Sequence, residues 1–481
     1  MSAPKTDAPS VDAAPVADWV EQALAASTAR MCTVIVQESH EVNLRWAANA
    51  LTTNGAMTTR QATVISHADV DGGVSAASVS GPLATADDLA DLVRQADEAA
   101  PGAPADDEAQ PLVASGGEAA GGLDDDFGDP AYRVGPQDFA GLARDLGTAF
   151  SRAGSAGHLL FGFAEYRRTT TWLANSAGLR RRAGEPMGRL ELNAKMPDLV
   201  NSTWVGAQSI DFTDVDVAAM HDELERRLGW GARRVDLPAG SYETILPAGA
   251  VVDLLFYAYW TMSARDAEQG RNVYAGRERG QTRIGERLSD LPLTMASDPH
   301  DERLPVAPFA VVPSSQPGMM SVFDNGAPVG RVDWVREGKL TSLVRTRAGM
   351  QRAGLEGELP FPSENLIIDA GGTASVDDMI ASTKRGLLLT CLWYIREVDP
   401  QTLLLTGLTR DGVYLIEDGE VVGAVNNFRF NESPIDLLRR ATEASAAQHV
   451  LCREWNDWFT RSIAPALRIP DFTMSTVSKA Y

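Results

Sequence analysis

Histidine and cysteine are scarce in this chain, and that scarcity removes several chemistries. Only six His and three Cys occur in 481 residues. The nearest two His, His40 and His67, are 27 residues apart. A helical zinc site needs two His about one turn apart and a carboxylate to work the water, so no local site of that kind exists. Cys32, Cys391 and Cys452 are odd in number and far apart. This argues against a disulfide framework and predicts a reducing compartment. The chain lacks Gly-x-Ser-x-Gly and GxxxxGK[ST], and no GxGxxG follows a strand to open a helix. A serine-hydrolase elbow and a nucleotide-phosphate cradle therefore have no support. Basic residues are also in deficit, 43 against 65 acidic ones, for a net charge of -22. A surface for nucleic acid or anionic membrane needs clustered Lys and Arg, so neither is an expected partner. No apolar run approaches the ~20 residues that span a bilayer. Met1 to Ala17 has no basic start followed by an apolar stretch; it reads as a disordered tail rather than a signal peptide, and a cytoplasmic location is expected.

What is present reads as an α+β chain with a boundary near 234/235. In the first half, Asp18–Ser27 has helical spacing, and Cys32–Gln37, Val42–Trp46, Ala62–His67 and Gly73–Val79 read as strands. Asn54-Gly55 and Asp71-Gly72-Gly73 carry turn chemistry. Thr85 followed by Asp88 predicts a capping box opening a helix to about Ala99. Residues 97–129 hold ten acidic residues and no basic one, which predicts a loop or disordered insertion unable to bury enough apolar surface to order itself. Further helices are expected over Gln137–Ala153 and Asp214–Leu228, and strands over Leu159–Leu173 and Leu179–Lys195. The second half, 235–481, opens with a strand at Tyr242–Ile245. Pro247 then starts a helix over Ala248–Gln269, apolar nearly all round for four turns and hence buried. Short strands with Gly, Asp and Asn turns follow, mainly as antiparallel sheet, and a late helix starts at Pro434.

The second half also carries phrases in a telling order. They are Gly249-Ala250-Val251-Val252-Asp253, Gly285-Glu286-Arg287, Asp298-Pro299, Phe323-Asp324-Asn325-Gly326, Glu337-Gly338-Lys339-Leu340, Asn365-Leu366-Ile367-Ile368, Gly386-Leu387-Leu388-Leu389-Thr390 and Gly412-Val413-Tyr414-Leu415. This order resembles the TldD/TldE (PmbA) metallopeptidase family. In the TldD branch the early helix carries HExxxH, which holds and uses zinc. The matching positions here read Asp253-Leu254-Leu255-Phe256-Tyr257-Ala258, so the chain resembles the TldE side of the pair.

The resemblance implies a heterodimer. A TldD-like subunit would supply zinc, and this metal-free subunit would complete a chamber for small or unfolded peptides, in some relatives during peptide natural-product maturation. A strand at the chamber wall could pair with the peptide backbone. No catalytic residue is carried over. Asp253, Leu254 and Ala258 mark a degenerate metal position, with no cofactor in this chain. Relatives take a further ligand from a Cys near the carboxy terminus, the region of Cys452, which reads here as a small buried side chain. Asp253, Tyr257, Cys391, Trp393 and Tyr394 are candidates for a chamber or interface. Trp455 and Trp458 form a second aromatic pair, suited to a core or an interface. A lone enzyme of non-peptidase chemistry and a structural homo-oligomer remain as alternatives.

Overall fold

The strands of the first half are far longer than their apolar segments suggest. A computed structural model describes residues 15–115, 125–410 and 412–478. Within it, Cys32–Gln37 and Val42–Trp46 belong to a single strand, Met31–Ala47. Its partner, Ala50–Val70, runs straight through the expected Asn54-Gly55 turn, which lies opposite Leu44 and Asn43. The chain reverses instead at Ala48 and Asn49, at φ 50° and 64°. A tertiary contact decides this. The Asn49 amide donates to the His158 carbonyl at 2.8 Å and accepts from the Leu160 N–H at 2.7 Å, so it stitches the turn to the neighbouring strand. Six strands form the sheet in the order Gly73–Pro82, Ala50–Val70, Met31–Ala47, Leu159–Asn175, Arg180–Lys195 and Ser202–Ser209, every neighbour antiparallel.

Strand periodicity assigns the two faces of this sheet. Even-numbered residues of the two central strands meet helices. Val34, Val36, Trp172 and Ala174 pack with Val16–Ala26 and Ala86–Ala99, whose predicted Thr85–Asp88 capping box forms. Val42, Leu44, Leu160 and Ala164 pack with Ala140–Ala156 and Val217–Gly231. Odd-numbered Ile35 and Leu173 face the other way, into a cluster with Phe309, Phe323 and Val329 of the second half.

The second half contributes a ten-stranded and a second six-stranded sheet. Most neighbours are antiparallel. Parallel pairs join Gly240–Leu246 to Arg385–Leu389, Glu420–Val425 to Arg234–Val235, and Leu366–Asp369 to Ser462–Ala464. The expected α+β class is what the chain adopts. Ala248–Trp260 packs among side chains of both sheets, and every residue from Ala250 to Phe256 is buried. This helix stops nine residues before the expected Gln269. Thr261 turns its hydroxyl back onto the Tyr257 carbonyl at 2.8 Å, and Ser263 caps a separate short helix, Ala264–Glu268. Asn272 takes up the freed carbonyls of Thr261 and Ser263 at 2.9 Å each. The late helix spans Pro434–Arg440.

Two expectations need correction. The tail expected over 1–17 lies outside the described residues up to 14, but Val16 and Ala17 are the buried start of a helix. The acidic stretch does not behave as a loop unable to pack. Asp97 accepts from the Ser27 hydroxyl (2.9 Å), the Thr28 N–H (2.7 Å) and the Ser66 hydroxyl (2.6 Å). Glu108 is buried against Arg265 (3.1 Å), Arg352 (2.6 Å) and the Thr346 hydroxyl. Leu112 is buried too, and Val113 packs on the cluster shared by both halves. Counting apolar surface missed this because the cations that pair with these carboxylates come from distant parts of the chain. Residues 116–124 lie outside the description.

Candidate functional site

The helix Ala248–Trp260 brings Asp253 to a loop near the carboxy terminus. Asp253, about 1% exposed, accepts from the Glu454 N–H at 2.8 Å and the Arg453 N–H at 3.3 Å. The Trp455 indole donates to the Asp253 carbonyl at 3.2 Å. Burial pushes the Asp253 carboxyl up to about 8 despite the two N–H donors. Glu454 continues the chain of contacts. Its carboxylate takes the Tyr394 and Ile395 N–H groups at 2.9 and 2.8 Å, and Tyr257 donates to the Ile395 carbonyl at 2.9 Å. Asp253 and Tyr257 thus fix the loop and the end strand Leu392–Asp399 of the ten-stranded sheet.

The donor set at this position suits a hydrogen-bonded clamp better than a metal ion. Leu254 and Ala258 are buried and offer no ligand atom. Cys452 approaches Asp253 closely enough for the two to repel when ionised. Burial holds its thiol well above the usual range, and its sulfur donates to the Phe459 carbonyl at 3.3 Å. Zinc takes three or four deprotonated ligands. Here a carboxyl that burial favours in its protonated form, with its oxygens already engaged by two N–H groups, faces a protonated thiol. Among the described residues, no group of three metal-ligating side chains converges.

Trp455 and Trp458 join Phe256, Trp260 and Phe459 in one aromatic cluster, with Phe256 between 4.6 and 5.4 Å from each of the other four rings. Phe459 and Phe256 are core, whereas Trp260 and Trp458 are each 47% exposed.

The clamp positions one wall of a groove between the halves, with a volume of about 400 Å³. The other wall is the face of the first sheet turned away from its helices. Leu190, Leu192 and Ala194 point to the helices, so Asn193 and Lys195 point into the groove. Asn193 lies opposite Phe161 on one side and Trp204 on the other. From the second half come Cys391, Trp393, Arg410 and Arg453. Arg453 lies over two rings, Trp204 at 5.1 Å and Trp393 at 4.9 Å, one from each half. Cys391 is buried at the groove's edge.

Of the sequence candidates, Cys391 and Trp393 therefore line this groove, and Asp253 and Tyr257 shape it from behind. Tyr394 turns away at φ 54°, is exposed, and carries Arg396 over its ring at 4.2 Å. Sequence reasoning missed Lys195, Arg410, Arg453 and Glu454. The alternation of apolar and polar residues over 189–195 was the available signal, since it sets Asn193 and Lys195 opposite the helix-facing residues.

Residues 239–476 match the family model described as "PmbA/TldA metallopeptidase C-terminal domain". The fold and this match together define the class, and the chain belongs to the TldD/TldE (PmbA) family. Its structure is similar to that of TldE from Thermococcus kodakarensis, at 16% identity and a TM-score of 0.75, covering 96% of this chain and 99% of that one. It is also similar to proteins described as proposed modulators of DNA gyrase. One is from Bacteroides thetaiotaomicron (13% identity, TM-score 0.73, 96% and 98% covered) and one from Thermotoga maritima (13%, 0.69, 95% and 99%). These likenesses extend the shared fold over nearly the whole chain. No curated protein matches the sequence. No helix among the described residues is long and apolar enough to cross a membrane.

Proposed function

We propose that this chain is a metal-free, TldE-like subunit of a TldD/TldE-type zinc peptidase, completing the chamber in which small or unfolded peptides are bound and cut. The observation that carries the reading is the hydrogen-bonded clamp at the degenerate metal position. Asp253 spends its oxygens on the Arg453 and Glu454 N–H groups, and Leu254 and Ala258 fill core. A peptidase frame that uses its metal position to build a groove wall makes sense as part of a larger site. Closing such a site excludes water and positions an extended peptide, and orientation can lower a barrier by several kcal/mol. The half-exposed Trp260 and Trp458 offer an apolar surface for a partner.

The test mixes this chain with an HExxxH-bearing relative from the same source. The relative alone should hydrolyse peptides slowly or not at all, and adding this chain should restore turnover. Elemental analysis should find no stoichiometric zinc in this chain purified alone. Changing Asp253→His, Leu254→Glu and Ala258→His together should not create a good peptidase, because nothing around those positions orients the new ligands. Full activity of the relative alone, or cleavage by this chain unaided, would overturn the proposal in favour of a lone enzyme.

A further inference from the structure

The groove between the halves is cationic in a chain of net charge -22. Three positive side chains, Lys195, Arg410 and Arg453, line it, and among the described residues no acidic one does. Arg453 is partly neutralised from below by Glu191, at 3.5 Å. Among the described residues, neither Lys195 nor Arg410 has a carboxylate within ion-pair distance. Each instead lies near an aromatic ring, Lys195 at 5.5 Å from Phe161 and Arg410 at 5.7 Å from Trp393. Elsewhere the arginines are mostly matched. Arg265, Arg352 and Arg440, for example, all reach carboxylates. Two such cations in one aromatic-walled recess, with the Asn193 amide in the same lining, form a setting for a carboxylate. Such an anion gains charge-assisted hydrogen bonds, and the surrounding acidic surface makes this recess its favoured landing place.

We infer that this groove is a carboxylate-binding subsite for a peptide, with Lys195 and Arg410 as the exchangeable contacts and Arg453 as the fixed one. Arg453 is fixed by the rings of Trp204 and Trp393 and by its own N–H on Asp253. The peptide's carboxylate comes either from its carboxy terminus or from an acidic side chain, and the groove chemistry serves both. The flanking rings give an apolar residue beside that carboxylate a surface to lie on. The inference rests on the reading that peptides enter this molecule, but it concerns this chain's own residues and is measurable without the partner.

The experiment titrates the full-length chain calorimetrically with four probes. They are a five-residue apolar peptide as free acid, the same peptide as carboxamide, a carboxamide version with one internal Glu, and inorganic phosphate. The free acid should bind, and amidation should weaken it at least tenfold. Recovery by the internal Glu would assign the side chain as an equal source, and no recovery would assign the terminus; either supports the subsite. Arg410→Gln and the double change Lys195→Met with Arg410→Met should each weaken the free acid, the double by tenfold or more. Added salt should weaken it in the same direction. Arg410 is exposed, so its single variant folds and keeps the test decisive. Equal binding of acid and amide, binding indifferent to both variants, no peptide binding, or binding of phosphate alone would each overturn the inference. In the reconstituted pair, a double variant that restores turnover with unchanged KM for the free acid would overturn the subsite and leave the partner reading standing. Loss of peptide affinity with partner capture intact supports it.

Discussion

Replacing Asp253 should expose how much of the second half depends on one buried carboxyl. Asp253→Leu keeps approximate size but leaves the Arg453 and Glu454 N–H groups facing an apolar side chain. Each lost acceptor costs about 1–3 kcal/mol when the donor cannot reach water. Both N–H groups are partly buried, so a total of about 2–4 kcal/mol is expected. Asp253→Asn keeps one oxygen and should cost less, about 1–2 kcal/mol. The two variants also differ from the parent in pH dependence. Burial raises the Asp253 carboxyl from an ordinary 3.8 to about 8 in the folded chain. The folded state therefore holds a proton that the unfolded chain has released. The resulting stability is fully present below pH 3.8 and is lost as pH rises, until the folded group has also ionised near 8. Over that window one proton is worth about 1.4 kcal/mol per pH unit. Asn cannot titrate, so the parent should lose roughly 2 kcal/mol relative to Asp253→Asn between pH 6 and pH 8. Urea unfolding of both proteins at half-unit pH steps measures the difference directly. Comparing the two cancels every other titrating group. Parallel stability curves would show that Asp253 is ionised in the folded chain and that its two N–H donors outweigh burial. Unchanged stability of Asp253→Leu would show that the clamp is ornamental.

Three further outcomes follow from the packing. Glu108→Ala should cost about 1–3 kcal/mol, since it removes the acceptor of the buried Thr346 hydroxyl and leaves Arg265 with Asp107 alone; deleting 105–115, which removes both carboxylates, should do more damage, and melting curves that do not move would show that the acidic segment is dispensable. His67, packed on Phe323 with the rings tilted and 4.6 Å apart, is held neutral by burial, which lowers it from 6.5 to about 4. Its contribution is present above pH 6.5 and lost as pH falls towards 4, so His67→Phe should lessen acid sensitivity in that window, read from unfolding at pH 4, 5 and 6. Phe256→Ala should cost about 3–5 kcal/mol as a cavity in the aromatic cluster. Trp458→Ser, by contrast, should cost under about 1 kcal/mol in the isolated chain while weakening capture of an HExxxH-bearing partner; loss of folding from the Trp458 change would place that ring in the core.

The family frame was legible because it is written in local phrases: glycine turns, the apolar run at Ala248 to Tyr259, and the Asp253-to-Ala258 segment where ligands would stand. The α+β class followed from the same periodicities. What stayed illegible depends on contacts between residues far apart in the chain. Asn54-Gly55 has the stronger turn chemistry, yet Asn49 wins because His158 and Leu160 wait for its amide. The acidic segment looked unable to order because its cations, Arg265 and Arg352, lie more than 150 residues away. The groove is the same problem at the level of function. Lys195, Arg410 and Arg453 share no motif, and each alone is an ordinary surface cation. Strand alternation turns Lys195 to the inner face. The strand ending at Thr409 delivers Arg410 beside Cys391. Asp253 then pins the backbone of Arg453, whose guanidinium lies over two tryptophans. Position 253 therefore organises the groove through hydrogen bonds to a loop. Restoring His at position 253 would remove the carboxylate that holds Arg453 and Glu454, so gaining a ligand would dismantle the groove wall.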